Sequence, residues 1–168
     1  MEKNRIKIVY CIPGIYNAGG MERVITNKAN YLSKHGYDVY IITTDQKGRR
    51  PFFELDKDIR LIDLGINYED SKNKLFTSKL FLYFYNQYKH LKKLKKILNQ
   101  IKPHIVISTF CQECGILSNI NDGSKKIIEY HFCRNKIEIE ETQKSLINKI
   151  VGLYENLLFK DPVNKYDK

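Results

Sequence analysis

Residues 6–44 constrain the fold more than any other part of the chain. Ile6 to Ile12 (IKIVYCI) is a β-branched apolar run behind a charged start, the pattern of a strand buried on both faces. A loop, PGIYNAGG, follows it. Met21, Val24, Ile25, Ala29 and Leu32 then recur at helical spacing. Lys34 and His35 suit the last turn of that helix, and Gly36 suits its left-handed cap. Only Tyr37 and Asp38 separate the cap from a second strand, Val39 to Thr44 (VYIITT). Strand, helix and strand in so short a span make a βαβ unit. Such a unit implies a parallel pair joined by a right-handed crossover.

The rest of the chain repeats the alternation. Ile59 to Leu64 (IRLIDL) reads as a third strand. A long helix is expected over residues 75–101, with apolar positions at Leu80, Phe84, Leu91, Leu94, Leu98 and Ile101, and Pro103 stops it. Ile105 to Phe110 (IVISTF) reads as a fourth strand, 116–120 as a short helix, and Lys125 to His131 (KKIIEYH) as a fifth strand. A final amphipathic helix is expected from about Thr142 to Phe159. The fold class is therefore α/β, a doubly wound, Rossmann-like parallel sheet. The chain closes on NKYDK, a charged lead-in of the kind that precedes the first strand. The sequence stops where another strand should begin, which reads as truncation.

Composition sets bounds on function. Apolar residues are 42% and charged residues 29% of the chain, enough for a sizeable core. The net charge of +10 favours partners bearing phosphate. No stretch approaches the roughly 18 apolar residues of a membrane span, and the amino-terminal apolar run is too short for a signal peptide. The expected location is cytoplasmic, with the four Cys reduced.

In open α/β sheets ligands collect at the carboxyl ends of the strands, so the loop after the first strand is the first candidate site. Gly14, Gly19 and Gly20 fall there, just before a helix. Glycines admit close backbone approach to an anion, and the helix start adds partial positive charge. The spacing is not the G-x-G-x-x-G of dinucleotide sites. Nor is it a P-loop, since Gly20-Met21 stands where Lys-Ser/Thr is required. A tight turn without a ligand is the plainer reading of the same residues.

The stretch NAGGMERVITNKANYLSKHGYDVYIIT, residues 17–43, closely resembles the start of glycosyltransferase family 4. The likeness continues through PFFELDKDIRLIDLGI, KPHIVIST and IIEYHF to NKYDK, and the Gly-Gly-x-Glu stretch carries most of its specificity. Members have a GT-B fold of two Rossmann-like domains facing across a cleft. The resemblance implies that residues 1–168 are the N-terminal, acceptor-side domain, with the C-terminal donor-binding domain absent. It implies a retaining transfer of a sugar from a nucleotide-sugar to a polysaccharide or lipid-linked acceptor, in cell-envelope glycan synthesis. No cofactor or metal is needed for that chemistry in the family. Gly19 and Gly20 would lie near the donor phosphates, and His131 would match a His that contacts the donor sugar. The donor nucleotide would be held by the C-terminal domain, through two acidic residues seven apart, so the isolated fragment is expected to be inactive.

Other residues carry competing readings. Glu22 can meet a substrate hydroxyl or simply complement the helix dipole. His131 can be a donor to the sugar or a core-edge histidine bonded to backbone. Cys111, Cys114, His131 and Cys133 match a four-ligand zinc set in residue type, but His131-x-Cys133 is tight for tetrahedral geometry and small Cys are common buried residues. Lys72 to Lys102 holds nine Lys and one His with no Asp or Glu, and aromatics are interleaved. Lys89, Lys92, Lys93 and Lys96 would form a membrane or acceptor surface on an anionic bilayer, peripheral on the inner face of the membrane. The plainer reading is a solvated face. No recognised nucleic-acid motif accompanies the patch, so nucleic acid is not an expected partner. Arg49, Arg50, Phe52 and Phe53 suggest a second contact loop. A stand-alone, non-catalytic binding domain using the basic helix is the alternative to a transferase half.

Overall fold

The structure is a computed structural model that describes residues 5–71, 76–109 and 113–129. His131, Cys111, Cys133, the expected last helix and the NKYDK end lie outside the described residues. Five strands are described: β1 (Lys7–Ile12), β2 (Asp38–Thr43), β3 (Arg60–Asp63), β4 (Ile105–Ser108) and β5 (Lys125–Ile128). They form one sheet in the order β3-β2-β1-β4-β5, and every neighbouring pair is parallel. The helices are α1 (Gly20–Lys34) between β1 and β2, α2 (Phe76–Ile101) before β4, and α3 (Glu113–Leu117) before β5.

The continuous apolar run of β1 is explained by its central place. Successive side chains point to opposite faces. Ile8, Tyr10 and Ile12 join Val39, Ile41, Ile25 and Ala29 in one core under α1. Val9 and Cys11 join Tyr40, Ile42, Leu94, Leu98 and Val106 in the other, under α2 and α3. Both faces of the sheet are therefore dry. Leu94 and Leu98 are fully buried, and truncating such a residue to Ala typically costs about 2–5 kcal/mol.

Each helix end has a local cause. At the end of α1 the Gly36 N–H donates to the Ser33 carbonyl and the Tyr37 N–H to the Leu32 carbonyl, both at 3.2 Å. This paired closure needs a left-handed residue after the cap, and Gly36 has φ +86°. Tyr37 and Leu32 then pack against the α1-side core. At the end of α2 the left-handed position falls instead on Lys102, φ +50°, whose N–H donates to Leu98, and Pro103 follows.

Two features differ from the sequence reading. The short helix spans Glu113–Leu117 rather than 116–120. The inward stripe of α2 also includes Asn86 and His90, which precede Leu94 and Leu98 at intervals of four. His90 is fully buried and meets the Tyr68 hydroxyl at 3.1 Å through Nδ1. Burial lowers its pKa to about 4, so the imidazole is neutral near pH 7 and adds no charge to the helix.

Gly36→Ala places a Cβ in a left-handed backbone. A loss of about 1 kcal/mol in unfolding free energy is expected from urea titration of the purified chain. An unchanged midpoint would mean that the paired closure of α1 has no energetic weight.

Candidate functional site

The sheet order reverses on either side of β1, because β2 leaves in one direction and β4 lies in the other. Their carboxyl ends open a crevice there, the usual ligand position of such a sheet. Residues 13–19, the glycine loop, form one lip of that crevice.

The loop is held from beside it by residues 44–53, the segment after β2. The N–H groups of Thr44 and Asp45 both donate to the Pro13 carbonyl, at 3.2 and 2.8 Å. The Ile15 N–H donates to Gln46 Oε1 at 3.0 Å, and the Phe52 N–H donates to the Ile15 carbonyl at 2.8 Å. Arg49 lies over the Tyr16 ring, 3.1 Å from its centroid. The guanidinium also donates to the carbonyls of Asp45 and Gln46. Tyr16 in turn covers Gly14, where a Cβ would come within 2.5 Å of the ring. Gly14 is glycine for space, not for its backbone angles.

Gly19 and Gly20 serve differently. Gly19 is the residue before α1, in extended conformation, and its carbonyl accepts the Arg23 N–H at 3.1 Å. The Glu22 carboxylate folds back over it: a Cβ on Gly19 would lie 2.1 Å from Glu22 Oε2. That position, in the first turn, is the one where an acid complements the helix dipole. At Gly20 a Cβ would meet nothing within 4 Å, and its φ is not positive. Gly20 therefore leaves open space beside the first turn of α1, the end of a helix whose N–H groups suit an anion.

A buried carboxyl lies at the other lip. Glu113, the first residue of α3, is 2% exposed, and among the described residues neither of its carboxylate oxygens has a partner at full hydrogen-bond geometry. Burial is the main reason its pKa rises to about 8, and the charge of Asp45 adds to the rise. Its own backbone N–H and the nearby Thr109 hydroxyl only moderate the shift. That hydroxyl donates to the Cys11 carbonyl at 3.2 Å. Asp45 is itself buried but well satisfied, accepting from the Thr44 hydroxyl at 2.7 Å and the Glu69 N–H at 3.1 Å. No sequence pattern marks Glu113 or Gln46 as special, because each draws its role from segments distant in the chain.

The lysines of α2 divide into two groups. Lys89 Nζ donates to the Gly65 carbonyl at 3.0 Å, and Lys93 Nζ donates to the Leu64 carbonyl. Both are thus tied to the backbone just past β3. Lys92 and Lys96 are exposed on the outer side. The zinc quartet is represented among the described residues only by Cys114, which is buried in the apolar core with Ile116 and Leu117. Among the described residues no group of three or more His, Cys, Asp or Glu side chains is arranged to hold a metal. No helix among them is long and apolar enough to cross a membrane.

Glu113 binds its proton more tightly in the folded than in the unfolded chain. Its favourable contribution is therefore complete below the ordinary carboxyl range and is lost as pH rises towards about 8. The expected result is that Glu113→Gln becomes progressively more stable relative to wild type between about pH 5 and about pH 9, by a few kcal/mol at most. Denaturant titrations across that range check it. A constant difference would mean that Glu113 does not titrate there in the folded chain.

Comparison with known proteins gives this geometry a family. The sequence model of Glycosyltransferase Family 4 matches residues 18–154. An uncharacterized glycosyltransferase of Haemophilus influenzae is 36% identical over 129 residues, covering 77% of this chain but only 33% of the relative. Among solved structures, a sucrose-phosphate synthase from Thermosynechococcus elongatus superimposes with a TM-score of 0.64 at 15% identity, over 97% of this chain and 41% of that one. The apo lipopolysaccharide outer core galactosyltransferase WaaB superimposes with a TM-score of 0.53 at 19% identity, over 78% and 35%. A glycosyltransferase from Rickettsia africae gives 0.52 at 20% identity, over 88% and 35%. The chain thus spans about a third of its curated relative, and the structural matches share its parallel α/β fold. With the match starting inside the glycine loop and running through α1 and the four strands that follow it, this chain belongs to glycosyltransferase family 4.

Proposed function

We propose that this chain is the acceptor-facing half of an enzyme that transfers a sugar, with retention, from a nucleotide-sugar to a polysaccharide or lipid-linked acceptor. The observation that carries the reading is the family match beginning at residue 18, where the glycine loop meets the open start of α1. The start of α1 supplies fixed N–H donors where negative charge grows on a departing diphosphate, once the Glu22 carboxylate that lies over Gly19 swings aside. Such donors need no reorganisation during the reaction. The donor nucleotide would be held by a second domain, and transfer would require that domain to close over the crevice. His131 is assigned contact with the transferred sugar, donating a hydrogen bond as the phosphate leaves. Departure and attack on the same face give retention without a carboxylate nucleophile. The stabilising groups are protein donors rather than a resident metal.

A panel of nucleotide-sugars offered to the native polypeptide tests the reading, with transfer to a glycan or lipid-linked acceptor as the readout. Transfer from one donor is expected, and His131→Ala should lower kcat about a hundredfold or more. Undiminished turnover would remove His131 from the mechanism, and no transfer from any donor would overturn the assignment.

The outer face of α2 supports a second element of the proposal, attachment to an anionic membrane surface. Phe81, Tyr85 and Tyr88 are 73%, 54% and 64% exposed, and Lys92 continues their stripe. Exposed aromatics followed by lysines match the chemistry of a bilayer interface, where rings enter the headgroup layer and ammonium groups meet phosphates. Such attachment would bring a cytoplasmic enzyme to a lipid-linked acceptor. Sedimentation with anionic vesicles should carry the protein down at low salt and release it at high salt. Absence of binding at low salt would overturn the membrane proposal. Binding without any sugar transfer would favour a non-catalytic binding domain.

A further inference from the structure

The latch between the glycine loop and residues 44–53 is more elaborate than a turn requires. Gln46 is only 2% exposed, yet both ends of its amide are used. Its Oε1 accepts the Ile15 N–H at 3.0 Å, and its Nε2 donates to the Arg49 carbonyl at 2.7 Å. Arg49 sends its guanidinium back across the same segment, donating through Nη2 to Asp45 at 2.6 Å and through Nε to Gln46 at 3.1 Å. Its flat face lies on the Tyr16 ring, whose hydroxyl reaches Glu69 Oε1 at 3.4 Å. Glu69 also lies 3.9 Å from the guanidinium. A guanidinium so engaged is a poor candidate for holding substrate and a good one for holding protein.

We propose that Gln46 and Arg49 are positioning residues that fix the glycine loop in its working shape. Gln46 ties the loop backbone at Ile15, and Arg49 pins Tyr16 over Gly14. The start of α1, with the open Gly20, is thereby set in place before substrate arrives. This inference rests on the transfer reading for its catalytic consequence, but not for its structural one. A loop held in advance costs no ordering when charge develops on the leaving phosphate, so its loosening should appear in kcat rather than in substrate binding. Without the Gln46 amide, the Ile15 N–H is buried with no acceptor and the local backbone must open to find water.

The test uses Gln46→Met, which keeps the volume and removes both hydrogen bonds, and Gln46→Glu, which keeps an acceptor for Ile15. Arg49→Lys keeps the charge but loses the flat fork. Hydrogen exchange on the native polypeptide reads the loop directly. For Gln46→Met, exchange of the Ile15 amide should rise about tenfold, while amides of β1 and β4 exchange as in wild type. Gln46→Glu should restore most of the Ile15 protection. Arg49→Lys should leave the lid over Gly14 loose despite its charge, read as faster exchange across residues 16–19. Unchanged exchange in the loop of all three variants would overturn the latch. In transfer assays Gln46→Met should lower kcat about tenfold with little change in either KM. Raised exchange with wild-type kcat would overturn the catalytic role while leaving the latch. A wild-type protein that transfers no sugar would count against the transfer reading, and exchange would still decide the latch.

Discussion

Burial of β1 on both faces is the constraint on which the rest of the structure depends. A strand with Ile8, Tyr10 and Ile12 on one side and Val9 and Cys11 on the other cannot leave either side in water. Helices must therefore cover both faces, which demands crossovers and so makes the sheet parallel. Parallel strands put all their carboxyl ends at one edge. With β1 central and its neighbours departing in opposite directions, the crevice falls at the carboxyl ends of β1 and β4, beside the loop after β1. The position of the candidate site thus follows from hydrophobic burial rather than from any feature of its own chemistry.

That dependence explains what was legible in the sequence. Strands made of β-branched runs and the αL cap at Gly36 are local signals, and every expected strand has a counterpart that begins within a residue or two of its expected place. The third and fourth strands are shorter than their apolar runs. Beyond β3 the chain still holds to its neighbour: the Leu64 N–H donates to the carbonyl of Thr43, the last residue of β2. The glycine loop was visible because glycines before a helix form a pattern. Its latch was not. Gln46 and Ile15 lie 31 residues apart, and nothing near Gln46 marks an amide that will be buried and doubly bonded. Asn86 and His90 were missed for a related reason. They occupy core positions of α2 while being polar, and the Tyr68 hydroxyl gives the buried imidazole a partner. Cys111, His131 and Cys133 lie outside the described residues, so the sugar contact of His131 rests on the family resemblance and the zinc reading on residue type and spacing.

Electrostatics at the strand ends bears on how such a site would work. Lys47 is held by Asp70 at 2.6 Å, and Arg49 by backbone carbonyls and Tyr16. The acids Asp45 and Glu113 are buried nearby, and burial keeps the second of them protonated at neutral pH. Two cations of this edge are thus engaged by the protein itself, while Arg23 and Arg50 are exposed beside them. Fixed dipoles stabilise charge that appears during a reaction without first having to be drawn away from water. They bind a standing dianion less tightly than a lysine cluster would.

Helix α2 shows how one element serves both the core and the surface without conflict. Asn86, His90, Leu94 and Leu98 face inward, while Phe81, Tyr85, Tyr88 and Lys92 face away from the sheet. Between the two stripes sit Lys89 and Lys93, whose ammonium groups close on the Gly65 and Leu64 carbonyls. Those carbonyls are strand-end acceptors that otherwise look to water. The bonds fix the rotation of the helix about its axis, because a turn of even one residue, about 100°, would carry both lysines off their acceptors and His90 away from Tyr68. Rotation being set from the flank, the outward aromatic stripe needs no packing of its own to keep its direction. Two lysines that composition alone would assign to a charged surface instead orient that surface, and the exposed cations available to an anionic partner are the ones that the helix presents farther round, led by Lys92 and Lys96.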